Sequence, residues 1–167
     1  MKKNMYIVNV YVIGHNVIDK SNIIKNISQT MFSYASKTIT KKYYTVLFHE
    51  ITPHDSTIDV GMFINDPYIL NIAIIYYNEN IESKMNIPSW INKLCNFQID
   101  TNSIIKTYLI SNDSENTLKS YAENQSIEHL DNNEICDKVR SDMDTFASKL
   151  YGKYYLRYYF DNYCTYL

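Results

Sequence analysis

Apolar residues in this chain form two patterns that alternate along it: short continuous runs and longer stretches with helical spacing. The continuous runs predict strands that are covered on both faces. These strands are predicted over 5–13, 43–51, 57–65, 69–77, 104–110 and 127–130. The helical spacing predicts helices over 21–35, 88–95, 118–124 and 139–154. The alternation indicates an α/β fold with an open, mostly parallel sheet, in which the turn at 52–56 makes 43–51 and 57–65 one antiparallel hairpin.

Size and composition narrow the class of protein. The chain has 167 residues, 46% of them hydrophobic, which predicts a single domain over 1–167. Its formal charge is -2, with 16 Lys and Arg against 18 Asp and Glu, so we expect no nucleic-acid binding. Cys95, Cys136 and Cys164 form no C-x-x-C pair, which argues against a disulfide framework or a zinc site and favours an intracellular, cytoplasmic protein. The apolar run at 5–13 is too short to cross a bilayer, so we expect no stable membrane insertion.

One segment carries candidate chemistry, the octapeptide Gly-His-Asn-Val-Ile-Asp-Lys-Ser at 14–21. It follows the phosphate-binding loop pattern Gly-x-x-x-x-Gly-Lys-Ser/Thr except at one position. In such a loop, backbone N–H groups surround the phosphates, the Lys contacts them and the Ser or Thr holds magnesium. Lys20 and Ser21 are in register with this motif. Asp19 replaces its second glycine and places a carboxylate and a Cβ where the backbone closes on an anion. The motif therefore predicts a nucleotide site that has been lost.

Four segments together resemble a small GTPase of the Ras superfamily, nearest to the Rab branch. The segment 8–21 looks like the first strand and phosphate loop, and Thr38-Ile39 looks like the Thr-Ile pair of switch I. The segment 69–90 looks like the fourth strand and third helix of a Rab protein, and 104–115 looks like the strand that leads into the guanine-binding motif. The resemblance implies a P-loop small-GTPase-like three-layer sandwich. It also implies that a nucleotide, if one still binds, contacts Gly14, Lys20, Ser21, Thr38, Asn112 and Glu115.

The chain departs from the family at the base and at switch II. In the guanine motif, Asn-Lys-x-Asp has become Asn-Asp-Ser-Glu at 112–115, which weakens the contacts to guanine. Asp66 is the candidate for the acid that ends the family's third strand, but Pro67 follows it and the next predicted strand begins almost at once. We therefore expect the switch II helix to be missing, and a switch that reads a γ-phosphate cannot work without it.

These features lead to the interpretation of a non-catalytic pseudo-GTPase that acts as a protein-protein interaction module, without a cofactor or a metal. Its candidate contact areas are the Tyr-rich segments Tyr43-Tyr44 and 151–160. His49 and His54 do not suggest a metal site, because a strand and a turn spread their side chains apart. Cys164 starts a C-terminal C-a-a-X pattern, but Thr and Tyr are poor residues for its aliphatic positions.

Two alternatives remain open. In one, the chain is a functional GTP/GDP-binding switch with atypical motifs. Lys20 then lies on the phosphates, Ser21 and Thr38 lie near magnesium, and Asn112 and Glu115 contact the base. In the other, it is a small hydrolase or transferase on a similar sheet, although the sequence contains no Gly-x-Ser-x-Gly elbow.

Overall fold

A computed structural model describes residues 6–15, 17–32, 38–40, 44–53, 59–63, 66, 68–78, 84–101, 105–111 and 118–163. Strands and helices alternate through this part of the chain. The strands are β1 Tyr6–Ile13, β2 Thr38–Thr40, β3 Tyr44–Ile51, β4 Ile69–Tyr77, β5 Ile105–Ser111 and β6 Glu128–Leu130. The helices are α1 Val17–Phe32, α2 Ile87–Thr101, α3 Lys119–Asn124 and α4 Ile135–Tyr163, with a short 3₁₀ helix at Val60–Met62.

The six described strands form one sheet in the order β2-β3-β1-β4-β5-β6. β2 runs antiparallel to β3, and every other neighbouring pair is parallel. The prediction of an α/β fold with a mostly parallel sheet is confirmed. Most predicted strands and helices are also found, with ends that differ by a few residues; α4 is longer than predicted.

The helices cover both faces of the sheet, and the two hydrophobic clusters follow the alternation of side chains along the strands. On β1, Val8, Val10 and Val12 pack with α1 and α4. Tyr11 and Ile13 point the other way and pack with α2 and α3. The same division holds on β4, where seven consecutive residues from Asn71 to Tyr77 are buried. Burial on both faces explains why the central strands are nearly continuous apolar runs.

The predicted hairpin is in the wrong place. β3 pairs with β2, and the described part of 57–65 forms the 3₁₀ helix instead of a strand. Asp59 caps this helix because its side chain accepts a hydrogen bond from the Gly61 amide at 2.9 Å. Phe63 then packs on Tyr11, with 4.5 Å between ring centroids, and the Tyr11 hydroxyl donates to the Met62 carbonyl at 3.0 Å. These contacts hold the segment against the sheet without adding a strand to it.

Two further expectations concern segments that are only partly described. Between β3 and β4, the described residues contain helical structure only at Val60–Met62, and the absence of a switch II helix stays a prediction because 54–58, 64, 65 and 67 lie outside the described residues. Within the described chain, no helix is both long and apolar enough to cross a membrane. Cys95 and Cys136 carry free thiols, whereas Cys164 lies outside the described residues.

Candidate functional site

The strand order reverses at β1, whose carboxyl end lies between those of β3 and β4. The chain leaves β1 through α1 to reach β3 on one side, and then crosses to β4 on the other side of β1. Ligands of open α/β sheets bind outside the carboxyl ends of the strands at such a reversal. The segment 14–21 lies at this edge, directly after β1. Helix α1 begins at Val17, so Asp19, Lys20 and Ser21 lie in its first turns.

Gly14 is required by packing against the sheet. Its amide donates to the Ile51 carbonyl at 3.1 Å and so extends the pairing of β1 with β3. A Cβ at this position would lie 3.0 Å from the carbonyl oxygen of Tyr76 on β4. Because that oxygen belongs to the backbone of a central strand, it cannot move aside easily. Packing against β4 therefore explains why glycine is needed at position 14, without any role in phosphate binding.

Lys20 is fully buried. Its Nζ donates to the Ile51 carbonyl at 3.0 Å and to Thr52 Oγ1. Burial lowers the pKa of the ammonium, and the nearby charge of Glu50 opposes this shift. The ammonium is therefore held at the end of β3 by two hydrogen bonds and one nearby carboxylate.

Ser21 also contacts β3, because its Oγ donates to Glu50 Oε1 at 2.9 Å. Glu50 was missed by sequence reasoning, which took Asp66 as the acid that ends the third strand. Asp66 instead lies in the turn that precedes β4, where its carboxylate accepts from the Tyr68 amide at 2.7 Å. That turn is at the amino end of a parallel strand, at the opposite edge of the sheet from Ser21. The role given to Asp66 was wrong, and Glu50 is the acid beside the motif.

Asp19 has a partner on β4. Its carboxylate is hydrogen-bonded to the Tyr76 hydroxyl, and the pKa of Tyr76 rises to about 12 through burial, the Asp19 charge and this bond. An acid in the first turn of a helix also interacts favourably with the helix dipole. Asp19 therefore joins α1 to the sheet.

The remaining predicted site residues are not brought to this cluster by the described backbone. Thr38 begins β2 and pairs with Leu47, which lies three residues before Glu50 on β3. At about 3.3 Å per strand residue this separation is about 10 Å, so Thr38 and the Ser21–Glu50 pair are well apart along the sheet. Asn112 and Glu115 lie outside the described residues, just beyond the carboxyl end of β5.

A buried polar chain crosses the centre of the sheet on the α2 side. Asn9 Nδ2 donates to Asn71 Oδ1 at 3.4 Å, which leaves Asn9 Oδ1 to accept from His49 Nε2 at 3.3 Å. The His49 ring stacks on Tyr11 at 4.7 Å, and burial lowers the pKa of His49. His54 lies outside the described residues. Among the residues that are described, no group of three or more His, Cys, Asp or Glu side chains could hold a metal ion.

The fold defines an α/β protein with a mostly parallel sheet flanked by helices, compatible with a Rossmann or P-loop-like sandwich. No protein-family model matches the chain, and no curated protein matches it in sequence.

Proposed function

We propose that this chain is a non-catalytic pseudo-GTPase, a small-GTPase-like domain that has lost nucleotide binding and acts as a protein-protein interaction module. The observation that carries this proposal is the placement of Lys20, whose buried ammonium donates to the Ile51 carbonyl and to Thr52 Oγ1. A phosphate would have to draw Lys20 away from both acceptors. Hydrogen bonds to charged groups contribute about 1.5–3 kcal/mol each, so this movement would offset much of what a phosphate contact could add.

The neighbours of Lys20 add to this cost. Ser21 is bonded to Glu50, and Asp19 is bonded to Tyr76. Two negative charges 4 Å apart repel by about 4 kcal/mol near a protein surface, so the carboxylates of Asp19 and Glu50 both oppose a polyphosphate. A loop in which each key side chain has an internal partner is better suited to a fixed structural role than to nucleotide exchange.

The interaction part of the proposal rests on the carboxyl-terminal end of α4. This helix has 29 residues and is about 43 Å long, whereas β4, at nine residues, spans about 30 Å. On α4, Phe146, Ala147 and Leu150 pack against the core. The helix continues to Tyr163 through a sequence with tyrosine or phenylalanine at 151, 154, 155, 158, 159, 160 and 163. Tyrosine and phenylalanine supply large contact areas at low entropic cost, which favours this sequence as a contact segment.

The other predicted contact area is weaker. Tyr44 is half-buried, and its ring lies 5.5 Å from that of Tyr6, which itself packs on Phe146. Tyr44 thus belongs to the edge of the core. Tyr43 lies outside the described residues. We therefore assign partner binding to the aromatic segment 151–163 of α4.

A second candidate function, a GTP/GDP-binding switch, is favoured by one specific observation. Ser21 and Glu50 bring together a hydroxyl and a carboxylate beside a lysine, and phosphate-loop NTPases hold magnesium with a Ser or Thr and an acid. These two side chains fit a magnesium ion chemically, whereas Thr38 lies too far along the sheet to complete the site. Asp19 and the altered 112–115 motif argue against this function.

Thermal unfolding with GTP, GDP and ATP, each with and without magnesium, separates the two functions. A nucleotide present at one hundred times its Kd adds about 2.7 kcal/mol to the free energy of unfolding, a shift of several degrees for a chain of this size. We expect no shift. A magnesium-dependent shift with wild type that disappears in Lys20→Met would establish the switch instead.

The interaction surface is tested by a second experiment. A variant with Tyr154, Tyr155, Tyr158 and Tyr159 changed to Ser is used to capture partners from a lysate, with circular dichroism to verify that the helix persists. Tyr68→Ser is the control, because Tyr68 is a 43% exposed tyrosine that lies outside α4. We expect wild type and the control to retain a partner that the quadruple variant loses. Recovery of the same partners at the same strength by all three proteins would remove the basis for this surface.

A further inference from the structure

Polar atoms without partners are found on the α2 side of the same sheet edge. Within the described residues, His15 Nε2, Trp90 Nε1 and Ser111 Oγ are buried and make no hydrogen bond. Trp90 is fully buried and Ser111 is 9% exposed. Buried polar groups are nearly always paired, by protein or by ordered water, so each of these atoms requires an explanation.

His15 and Trp90 are close enough to share one partner. His15 follows Gly14 at the end of β1, and the alternation of the strand directs it to the same face as Tyr11 and Ile13. Its ring centroid lies 5.2 Å from that of Trp90, and the two rings are tilted by 52°. The indole N–H can only donate, whereas the imidazole Nε2 accepts when the ring proton is on Nδ1. The pair therefore consists of one obligatory donor and one available acceptor.

We propose that a single internal water molecule bridges Trp90 and His15, accepting from the indole Nε1–H and donating to the imidazole Nε2. A water is the occupant that one donor and one acceptor suit, because Trp90 is fully buried in an apolar cluster that includes Ile13 and Ile87. A buried charged ligand would also need a counter-charge. Internal waters are common at sites that offer a few polar partners in an otherwise packed core.

Ser111 belongs to a separate position. It pairs with Tyr77, the β4 residue that lies between β1 and β5 in the sheet, so it is two strands, or about 10 Å, from β1. The Tyr77 side chain contacts His129 on β6, with 2.9 Å between its hydroxyl and Nε2. Ser111 is therefore a control for the bridge, and the bridge itself does not depend on whether the chain binds nucleotide. Its effect is to fasten the segment after β1 to α2.

The experiment uses the fact that Trp90 is the only tryptophan of the chain. The ¹⁵N-labelled protein therefore gives one indole N–H signal. We expect this proton to show a cross-peak to water whose sign is that of a long-lived bound molecule. The cross-peak should persist in Ser111→Ala and in His15→Gln, whose amide oxygen can accept in place of Nε2, and disappear in His15→Phe. An indole proton without a water cross-peak in folded wild type, or an unchanged cross-peak in His15→Phe, would overturn the proposal.

Discussion

The two faces of the sheet at its carboxyl edge differ in how their polar side chains are satisfied. On the face covered by α1, the motif residues Asp19, Lys20 and Ser21 all bond to the sheet strands or their ends. On the face covered by α2, His15 and Trp90 are buried without a protein partner among the described residues. The segment 14–21 thus contributes to both faces, with Asp19, Lys20 and Ser21 on the first and His15 on the second. The motif residues Asp19, Lys20 and Ser21 therefore make structural hydrogen bonds. The unpaired polar atoms belong to His15 and Trp90, which are not among the defining residues of the motif.

Gly14 joins these two regions, and its substitution should have the largest effect. In Gly14→Ala, the new Cβ lies 3.0 Å from the Tyr76 carbonyl oxygen, so either β1 or β4 must shift. Overpacking of this kind destabilises by about 1–3 kcal/mol, and we expect the upper end because the neighbour is sheet backbone. Urea denaturation measures the change in the free energy of unfolding.

Gly61→Ala is the matched control for this substitution. The nearest atom to its new Cβ is Asp59 Oδ1 at 3.1 Å, the end of an exposed side chain, so relieving the contact costs at most the cap hydrogen bond to the Gly61 amide. We expect a loss of under about 1 kcal/mol. Equal losses in the two variants would mean that Gly14 is not held between the strands as described.

Lys20→Met directly tests the contacts on the face covered by α1. Methionine fills a similar volume but cannot donate to the Ile51 carbonyl and Thr52 Oγ1, and Glu50 loses a nearby cation. We expect a loss of about 2 kcal/mol in the free energy of unfolding at pH 7, measured in urea. Lys25→Met is the control on the same helix, because Lys25 is exposed and its loss should change stability by less than about 0.5 kcal/mol. A neutral or stabilising Lys20→Met would indicate a lysine kept for a ligand.

Much of this fold could be predicted from the sequence, because burial on both faces makes central strands apolar and helical spacing is distinct from it. The described part of 57–65, residues 59–63, was wrongly predicted as a strand. Its apolar residues form a 3₁₀ helix capped by Asp59 and anchored by Phe63. β2 has three residues, too few for any periodic signal. A short edge strand forms because it pairs with a neighbouring strand, and the hydrophobic pattern of the sequence does not show that pairing.

The contacts of the site were less predictable than its location. The burial of Lys20 had a usable signal, because residues 20, 23, 24 and 27 share one face of α1 and the other three are isoleucines. The role of Glu50 had none, since it depends on where β3 ends and on which strand neighbours β1. The bond from Tyr76 to Asp19 likewise joins residues that only the strand order brings together.

Tyr76→Phe removes one contact on the face covered by α1 and should have a smaller effect on stability. The substitution removes one hydroxyl from a buried ring and leaves Asp19 without this donor. We expect a loss of about 1 kcal/mol in the free energy of unfolding. The loss should shrink when Asp19→Asn is already present, because the bond to a charged acceptor is then gone. A double-mutant cycle measures this coupling, and additive effects would show that the two side chains act independently.

The smallest expected effect concerns the hydrogen-bonded chain of Asn71, Asn9 and His49. It appears only as a dependence of stability on pH. Burial lowers the pKa of His49 from its ordinary value of 6.5, so just below pH 6.5 the unfolded chain binds a proton that the folded chain does not. Stability should therefore fall as the pH drops below 6.5, and this contribution should level off below the folded pKa. His49→Gln retains an amide N–H for Asn9 Oδ1 and removes the titration. Urea denaturation between pH 7 and pH 5 should show a loss for wild type that exceeds that of the variant by under about 1 kcal/mol, because His49 is only partly buried. All other titratable groups are the same in both proteins. Parallel curves of stability against pH would therefore show that protonation of His49 does not destabilise the fold.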